Sequence, residues 1–209
     1  MFDLDNGTVL RRYRGRVVPQ REVEAMRYAS EQGYPVPAVV SVSGADLVLE
    51  RVVGAVMQQA LMSGDLGIEA GAAQLAELHV RLHRIPAPEW LPARAEGGAL
   101  LHLDLHPNNV ILGPAGPVVI DWANAARGPA ALDPALAIAI FVTARANADA
   151  EERTAIDAFT AAFAAHFDPD ELRHWLPLAV ELRSTDANVS AAERAELARW
   201  AGAQIHLDP

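Results

Sequence analysis

Three oxygen-bearing side chains stand close together in the chain: Asp104, Asn109 and Asp121. The first two lie in the run His102-Leu103-Asp104-Leu105-His106-Pro107-Asn108-Asn109, and the third ends the run Val118-Val119-Ile120-Asp121. Phosphoryl transfer from a magnesium nucleotide needs few protein groups. A carboxylate orients the acceptor hydroxyl and takes its proton, hard oxygen donors hold the metal, and a cation faces the phosphates. On this reading Asp104 is the base, and Asn109 and Asp121 are the Mg²⁺ ligands. A polar loop and a strand-end turn would use the same residue types without chemistry, but a matched trio is more specific than a single motif. A rival reading takes His102, Asp104 and His106. They alternate, so an extended chain would present all three on one face, a spacing that can ligate zinc in a hydrolase. Pro107 and the continuation to Asn109 and Asp121 favour phosphoryl transfer. His102 otherwise reads as a buried, hydrogen-bonded support for the loop, and His106 divides evenly between a substrate contact and a structural role. His79 and His83 lie four apart and could share a metal on one helix face, but the sequence indicates no third ligand.

The elements that must position these groups follow from turn signals and apolar periodicity. Phe2–Asp5 and Thr8–Tyr13 predict a hairpin across Asn6-Gly7. A helix is predicted over 21–32, with Val23, Met26, Tyr28 and Ala29 on its apolar side and Gly33 as its stop. Pro35 and Pro37 impose an extended link, and 39–42 with 46–53 read as a second hairpin around Ser43-Gly44. A helix over 68–84 carries Leu75, Leu78 and Leu82 on its buried stripe. Short strands are predicted at 100–105 and 118–120. Residues 132–145, apolar all round, read as a buried helix, and 149–167 as another. Asp168-Pro169-Asp170-Glu171 starts a further helix, with Asp168 as cap and Glu171 reaching back, and Ser190 to Glu193 repeats that pattern. The expected fold is α+β, with a small lobe over 1–54 and a larger helical lobe over 55–209.

Composition bounds the possibilities. The chain has 209 residues, 51% of them apolar and 21% charged, which suits a packed globular protein. It contains no cysteine, which excludes disulfides and cysteine-ligated zinc. All seventeen basic residues are arginine, so no lysine can serve as phosphate ligand. A formal net charge of −10 argues against nucleic acid as partner and is compatible with a cationic substrate. The acidic start and the interrupted apolar stretch over 130–144 predict a cytoplasmic protein with no membrane partner.

The central run resembles the catalytic loop of the aminoglycoside phosphotransferase family, His-Gly-Asp-Leu-His-Pro-x-Asn, followed by Ile-Asp-Trp where protein kinases carry Asp-Phe-Gly. The family is one of a group with choline-kinase-like small-molecule kinases. The likeness implies a protein-kinase-like two-lobed fold with a reduced N-terminal β lobe. It implies transfer of the γ-phosphoryl group of ATP (or GTP), with Mg²⁺, to a hydroxyl of a small molecule. Gly128–Ala137 resembles the family's Gly-x-x-x-x-Asp-Leu-Ala element, whose Asp133 would anchor the catalytic loop through its backbone. Leu47–Gly54 resembles the linker that reads the nucleotide base, which puts Glu50 and Val52 beside the cofactor. Leu82-His83 resembles the end of the first large-lobe helix. Val9-Leu10-Arg11 resembles the strand that carries the phosphate-binding lysine, here Arg11, with Glu22 as its ion-pair partner. Glu181 and Asp186 are candidates for contact with a cationic acceptor.

The sequence departs from the family at three places. Only one strand precedes the Asn6-Gly7 turn in this sequence, so the usual first strand and glycine-rich flap are expected to be missing from the small lobe. The phosphate-facing cation is arginine, whose planar head differs in geometry from an ammonium. Eighteen residues separate His83 from His102, a short insert that implies an open or small acceptor site. Leu103 also replaces the motif glycine. These departures admit a second function class, a degenerate nucleotide-binding or non-catalytic module. The presence of Asp104, Asn109 and Asp121 together favours the enzyme. A truncated lobe could also be covered by a second subunit in a homodimer.

Overall fold

The computed structural model describes residues 2–4 and 6–205. Two short strands, Phe2–Asp3 (β1) and Thr8–Arg12 (β2), form the first hairpin. Its turn uses Gly7 at φ 77°, where a side chain would be strained, and the Asn6 Oδ1 accepts from the Thr8 amide at 3.2 Å. Helix Gln20–Glu31 (α1) follows, then the hairpin Val39–Ser43 (β3) and Asp46–Glu50 (β4). The four strands make one antiparallel sheet in the order β1-β2-β4-β3. Helix α1 turns Val23, Ala25, Met26 and Ala29 into the core, at helical spacing. Glu22 lies on the same buried side, an anomaly that the site explains. Tyr28 is half-buried and reaches the Pro86 carbonyl with its hydroxyl at 2.7 Å.

The chain then passes through a linker to Ala55–Val56 (β5), Met57–Ser63 (α2) and Ile68–His83 (α3). Leu75, Leu78 and Leu82 are buried along α3 as the periodicity predicts. Three strand pieces frame the loop over 102–109: Ala99–Leu101 (β6), Val110–Gly113 (β7) and Gly116–Val119 (β8). Ala126–Gly128 (β9) pairs with β6, while β5, β7 and β8 form a second small sheet. The helical remainder is Leu132–Ala144 (α4), Ala150–Ala164 (α5), Pro169–Thr185 (α6) and Ala191–Ile205 (α7). Helix α4 is buried from Leu132 to Thr143 because α5, α6 and α7 surround it, which accounts for its lack of a polar face. Among the described residues no helix is long and apolar enough to cross a membrane.

The expected α+β, two-lobed, kinase-like architecture is present, with a small sheet lobe and a mainly helical large lobe. Several local readings need correction. The strand expected over 100–105 stops at Leu101, because the next backbone amides bond a side chain of α4 rather than a neighbouring strand. Strands β5, β7 and β9 and helix α2 carried no signal that singled them out. Asp168 caps α6 by accepting from the Asp170 and Glu171 amides, without the Glu171 side chain returning the bond. The reciprocal box forms at Ser190–Glu193, as predicted, and at Asp149–Glu152.

The linker meets β7 at Gly54. A Cβ added there would lie 2.1 Å from the Leu112 carbonyl oxygen, a backbone atom with no room to move aside. Gly54→Ala is therefore expected to lower stability by about 1–3 kcal/mol, the usual cost of overpacking, measured by urea unfolding. An unchanged midpoint would show that the linker does not need this close approach.

Candidate active site

The loop over 102–109 is held from behind by Asp133, in the first turn of α4. Its Oδ1 accepts from the Leu103 amide at 2.8 Å and its Oδ2 from the His102 amide at 2.9 Å. His83 Nε2 lies 3.2 Å from Oδ2. Burial alone would raise this carboxyl's pKa; the His83 hydrogen bond, the nearby imidazoles and the backbone donors outweigh it and hold it well below the carboxylate range. Leu103 adopts φ 60° and Asp121 φ 66°, the two non-glycine positive-φ residues among those described. Left-handed backbone costs a branched or bulky residue energy, so it persists where the surroundings impose it, often at functional sites. At Leu103 the imposing contact is Asp133.

His102 is fully buried and joins the two halves of the site. Its Nε2 donates to the Ile120 carbonyl at 3.2 Å, one residue before Asp121, and its ring meets Trp122 edge-on at 4.9 Å. Burial pushes its pKa down, so the ring is neutral at pH 7. The zinc-hydrolase alternative fails on this geometry. His102 spends its Nε2 on Ile120, and His102, Asp104 and His106 do not converge as a metal-ligand group among the described residues. The chain here is a loop, not the extended strand that would align them.

Asn109 bridges the loop and the third residue. Its Nδ2 donates to the Asp104 backbone carbonyl at 2.8 Å and to Asp104 Oδ2 at 3.0 Å, and its backbone carbonyl accepts from the Ile120 amide at 2.9 Å. Turning Nδ2 inward leaves the side-chain amide oxygen, with its lone pairs, as the atom able to coordinate a metal. His106 Nε2 lies 3.4 Å from Asp104 Oδ1. Burial works against ionisation of Asp104, but the hydrogen bond and charge of His106, with His102 and Asn109, lower its pKa below the ordinary value. Asp104 is thus an accepting carboxylate at neutral pH.

Arg11 on β2 spans Glu22 and Asp121. One nitrogen lies 2.9 Å from Glu22 Oε1 and the other 3.1 Å from Asp121 Oδ1. Burial opposes its charge, while Asp121 and Glu22 more than compensate and raise its pKa. Tyr13 donates its hydroxyl to Glu22 Oε2, and its ring lies under Arg11 with 5.0 Å from Cζ to the centroid. Glu22 is buried with both its oxygens engaged, which explains a carboxylate on the apolar side of α1. The sequence marks Tyr13 only as the end of a predicted strand, with no role in the site; its signal was its place two residues after Arg11, just past the end of β2. Asp121 is more open, with 39% of its side chain exposed.

Glu50 lies at the surface, where its Oε2 accepts from the Ala38 amide at 3.1 Å, and half-buried Val52 sits in the linker. A cleft of about 230 Å³ opens beside Asp104. Leu103, Ile140 and Leu182 form its apolar wall, and Arg94, Asn124 and Asp186 contribute polar groups. Asp186 therefore reaches the site, whereas Glu181 is exposed on α6 outside this lining. Arg94 and Asn124 were not foreseen, because each stands alone in its segment.

Comparison with known proteins agrees with this frame. The model of the "Phosphotransferase enzyme family" matches residues 88–175, and that of the RIO domain matches residues 2–131. No curated protein sequence matches the chain. An aminoglycoside phosphotransferase from Streptomyces rimosus, solved with ADP and streptomycin, superposes with a TM-score of 0.56 at 18% identity, over 85% of this chain and 87% of that one. A macrolide 2′-phosphotransferase from Brachybacterium faecium gives 0.52 at 17% identity, over 94% and 86%. At such identities these two structures speak for the fold. The fold is that of the kinase-like phosphotransferases; the RIO domain model, matched over more than half of the chain, places it in that kinase-like family, and residues 88–175 are similar to the phosphotransferase enzyme family.

Proposed function

We propose that the protein transfers the γ-phosphoryl group of ATP (or GTP) to a hydroxyl of a small molecule. The observation that carries this reading is Asn109, which ties the Asp104 carboxylate to the segment bearing Asp121. Asp104 would accept a hydrogen bond from the acceptor hydroxyl, align it and receive its proton. His106 and Asn109 would hold the carboxylate in position for that transfer.

The free amide oxygen of Asn109 and the open carboxylate of Asp121 form a hard oxygen donor pair that fits Mg²⁺. When bound, that ion would neutralise charge on the nucleotide phosphates. Arg11, oriented by Glu22 and Tyr13, would present its guanidinium to the same phosphates. The linker around Glu50 and Val52 would face the base through backbone groups. The cleft beside Asp104 would take the acceptor. Its volume suits a compact polyhydroxylated molecule, and its lining by Arg94 and by Arg183, the latter 3.7 Å from Asp186, suits an acceptor carrying several polar groups rather than one dominated by positive charge. The Streptomyces rimosus relative is described with ADP and streptomycin, which supports a nucleotide and a hydroxylated acceptor as the ligand pair here.

Calorimetric titration with ATP, with and without Mg²⁺, tests the assignment. Affinity should rise when Mg²⁺ is added, and Asp121→Ala should weaken Mg²⁺-ATP binding by about tenfold or more, the loss of one charged ligand at roughly 1.4 kcal/mol or above. Binding that ignores both Mg²⁺ and Asp121 would end this reading.

A further inference from the structure

His79 and His83 lie one turn apart on α3, and the fold brings Asp133 of α4 against them. Their ligand atoms all fall within 4.8 Å of one another. Asp133 Oδ2 is 3.2 Å from His83 Nε2 and 3.9 Å from His79 Nδ1. The tautomer of His79 decides what this means. Its Nε2 is 3.2 Å from the Leu105 carbonyl oxygen, which can only accept, so Nε2 carries the proton. In a neutral ring Nδ1 is then a bare lone pair. It is buried and has no hydrogen-bond partner. It faces a carboxylate oxygen in a region where both side chains are wholly excluded from water. Two facing lone pairs repel, and burial opposes a second proton on the ring. A cation between them satisfies both.

We propose that His79 Nδ1, His83 Nε2 and Asp133 Oδ2 form a structural site for a first-row divalent ion, zinc by its donor set, behind the catalytic loop. Two imidazole nitrogens and one carboxylate oxygen suit zinc, whereas Mg²⁺ prefers an oxygen shell. Bonds of about 2.0–2.2 Å put tetrahedral zinc ligands roughly 3.3–3.5 Å apart, and the two measured separations bracket that spacing. Water would complete the shell on the side of His83, whose side chain is 8% exposed. The supporting contacts are built. His79 Nε2 donates to Leu105, the remaining lone pairs of Asp133 accept from the His102 and Leu103 amides, and Phe163 and Phe167 meet the His79 ring edge-on at 5.3 and 6.1 Å. The ion would thus join α3, α4 and the loop two residues before Asp104. It is separate from the Mg²⁺ ligands, and the proposal stands whatever the reaction proves to be.

The test uses the full-length protein stripped by chelator. Cobalt(II) should bind at one equivalent with the visible absorption of a tetrahedral site, zinc should displace it, and zinc should raise the melting temperature. His79→Gln can keep the bond to Leu105, and His83→Gln can keep the bond to Asp133. Both should fold and lose metal affinity by more than about a hundredfold, beyond the 10–100-fold typical of supporting contacts. Asp121→Asn should keep the absorption and the zinc shift. The proposal is overturned if the wild-type protein gives neither the cobalt signal nor the zinc shift. It is equally overturned if the two glutamine variants keep both, or if Asp121→Asn removes them. Should the glutamine variants fail to fold, the wild-type and Asp121→Asn titrations decide alone.

Discussion

Asp104→Asn is expected to lower phosphoryl transfer by about a thousandfold while leaving nucleotide affinity unchanged. The substitution preserves shape but removes the group proposed to take the hydroxyl proton, and general-base contributions run at about 10²–10⁴-fold. The reason nucleotide binding should survive is geometric. Asp104 lines the cleft, while Asp121 is paired with Arg11 and follows Ile120, whose amide bonds the Asn109 backbone carbonyl. Turnover would be followed as ADP release from Mg²⁺-ATP with a panel of hydroxylated acceptors that includes streptomycin, alongside calorimetric ATP titration. A variant keeping more than about a tenth of the wild-type rate would remove Asp104 from the base role, since one factor of ten is only 1.4 kcal/mol of barrier. Loss of nucleotide binding would instead mean that the cleft and the phosphate site are not separate.

Asp133→Ala is expected to cost about 3–5 kcal/mol of folding stability in chelator-treated protein. The carboxylate is fully buried and accepts from two backbone amides and His83. Its loss strands both amides in a region without water, at about 1–3 kcal/mol for each unsatisfied group. Removing one partner of a buried charged pair has a similar total effect. The damage should also reach the site, because the left-handed conformation of Leu103 is held by this carboxylate. Asp133→Asn, which can still accept from one amide, should fall between. Urea unfolding followed by circular dichroism measures the difference. A loss below about 1 kcal/mol would mean that water or a shifted loop replaces the clamp. Working with chelator present keeps this outcome independent of any bound ion.

Much of the site was legible because it is local. Asp104, Asn109 and Asp121 fall in one loop and the next strand end, so their types and order suggest the proposed chemistry without knowledge of the rest. The helices were legible for the same reason. Leu75, Leu78 and Leu82 report the buried side of α3, and Ser190 with Glu193 reports the start of α7 through bonds that span three residues. The strand expected over 100–105 was misread because its apolar alternation is real but its amides are claimed by Asp133, some thirty residues away. The third donor beside His79 and His83 was invisible for that reason too.

From the sequence alone came the reaction class, through a short run of residues whose hydrogen bonds and propensities act over a few positions. The α+β order and most helix ends came from the same local terms. The tertiary structure alone decided that Arg11 reaches Asp121 across 110 positions, that Asp133 meets His83 as well as the loop, that Tyr13 completes the Glu22 cluster, and that Asp186 but not Glu181 meets the cleft. Such convergence depends on how whole elements pack. Packing is set by the summed burial of many side chains, so no single residue announces which distant partner it will meet.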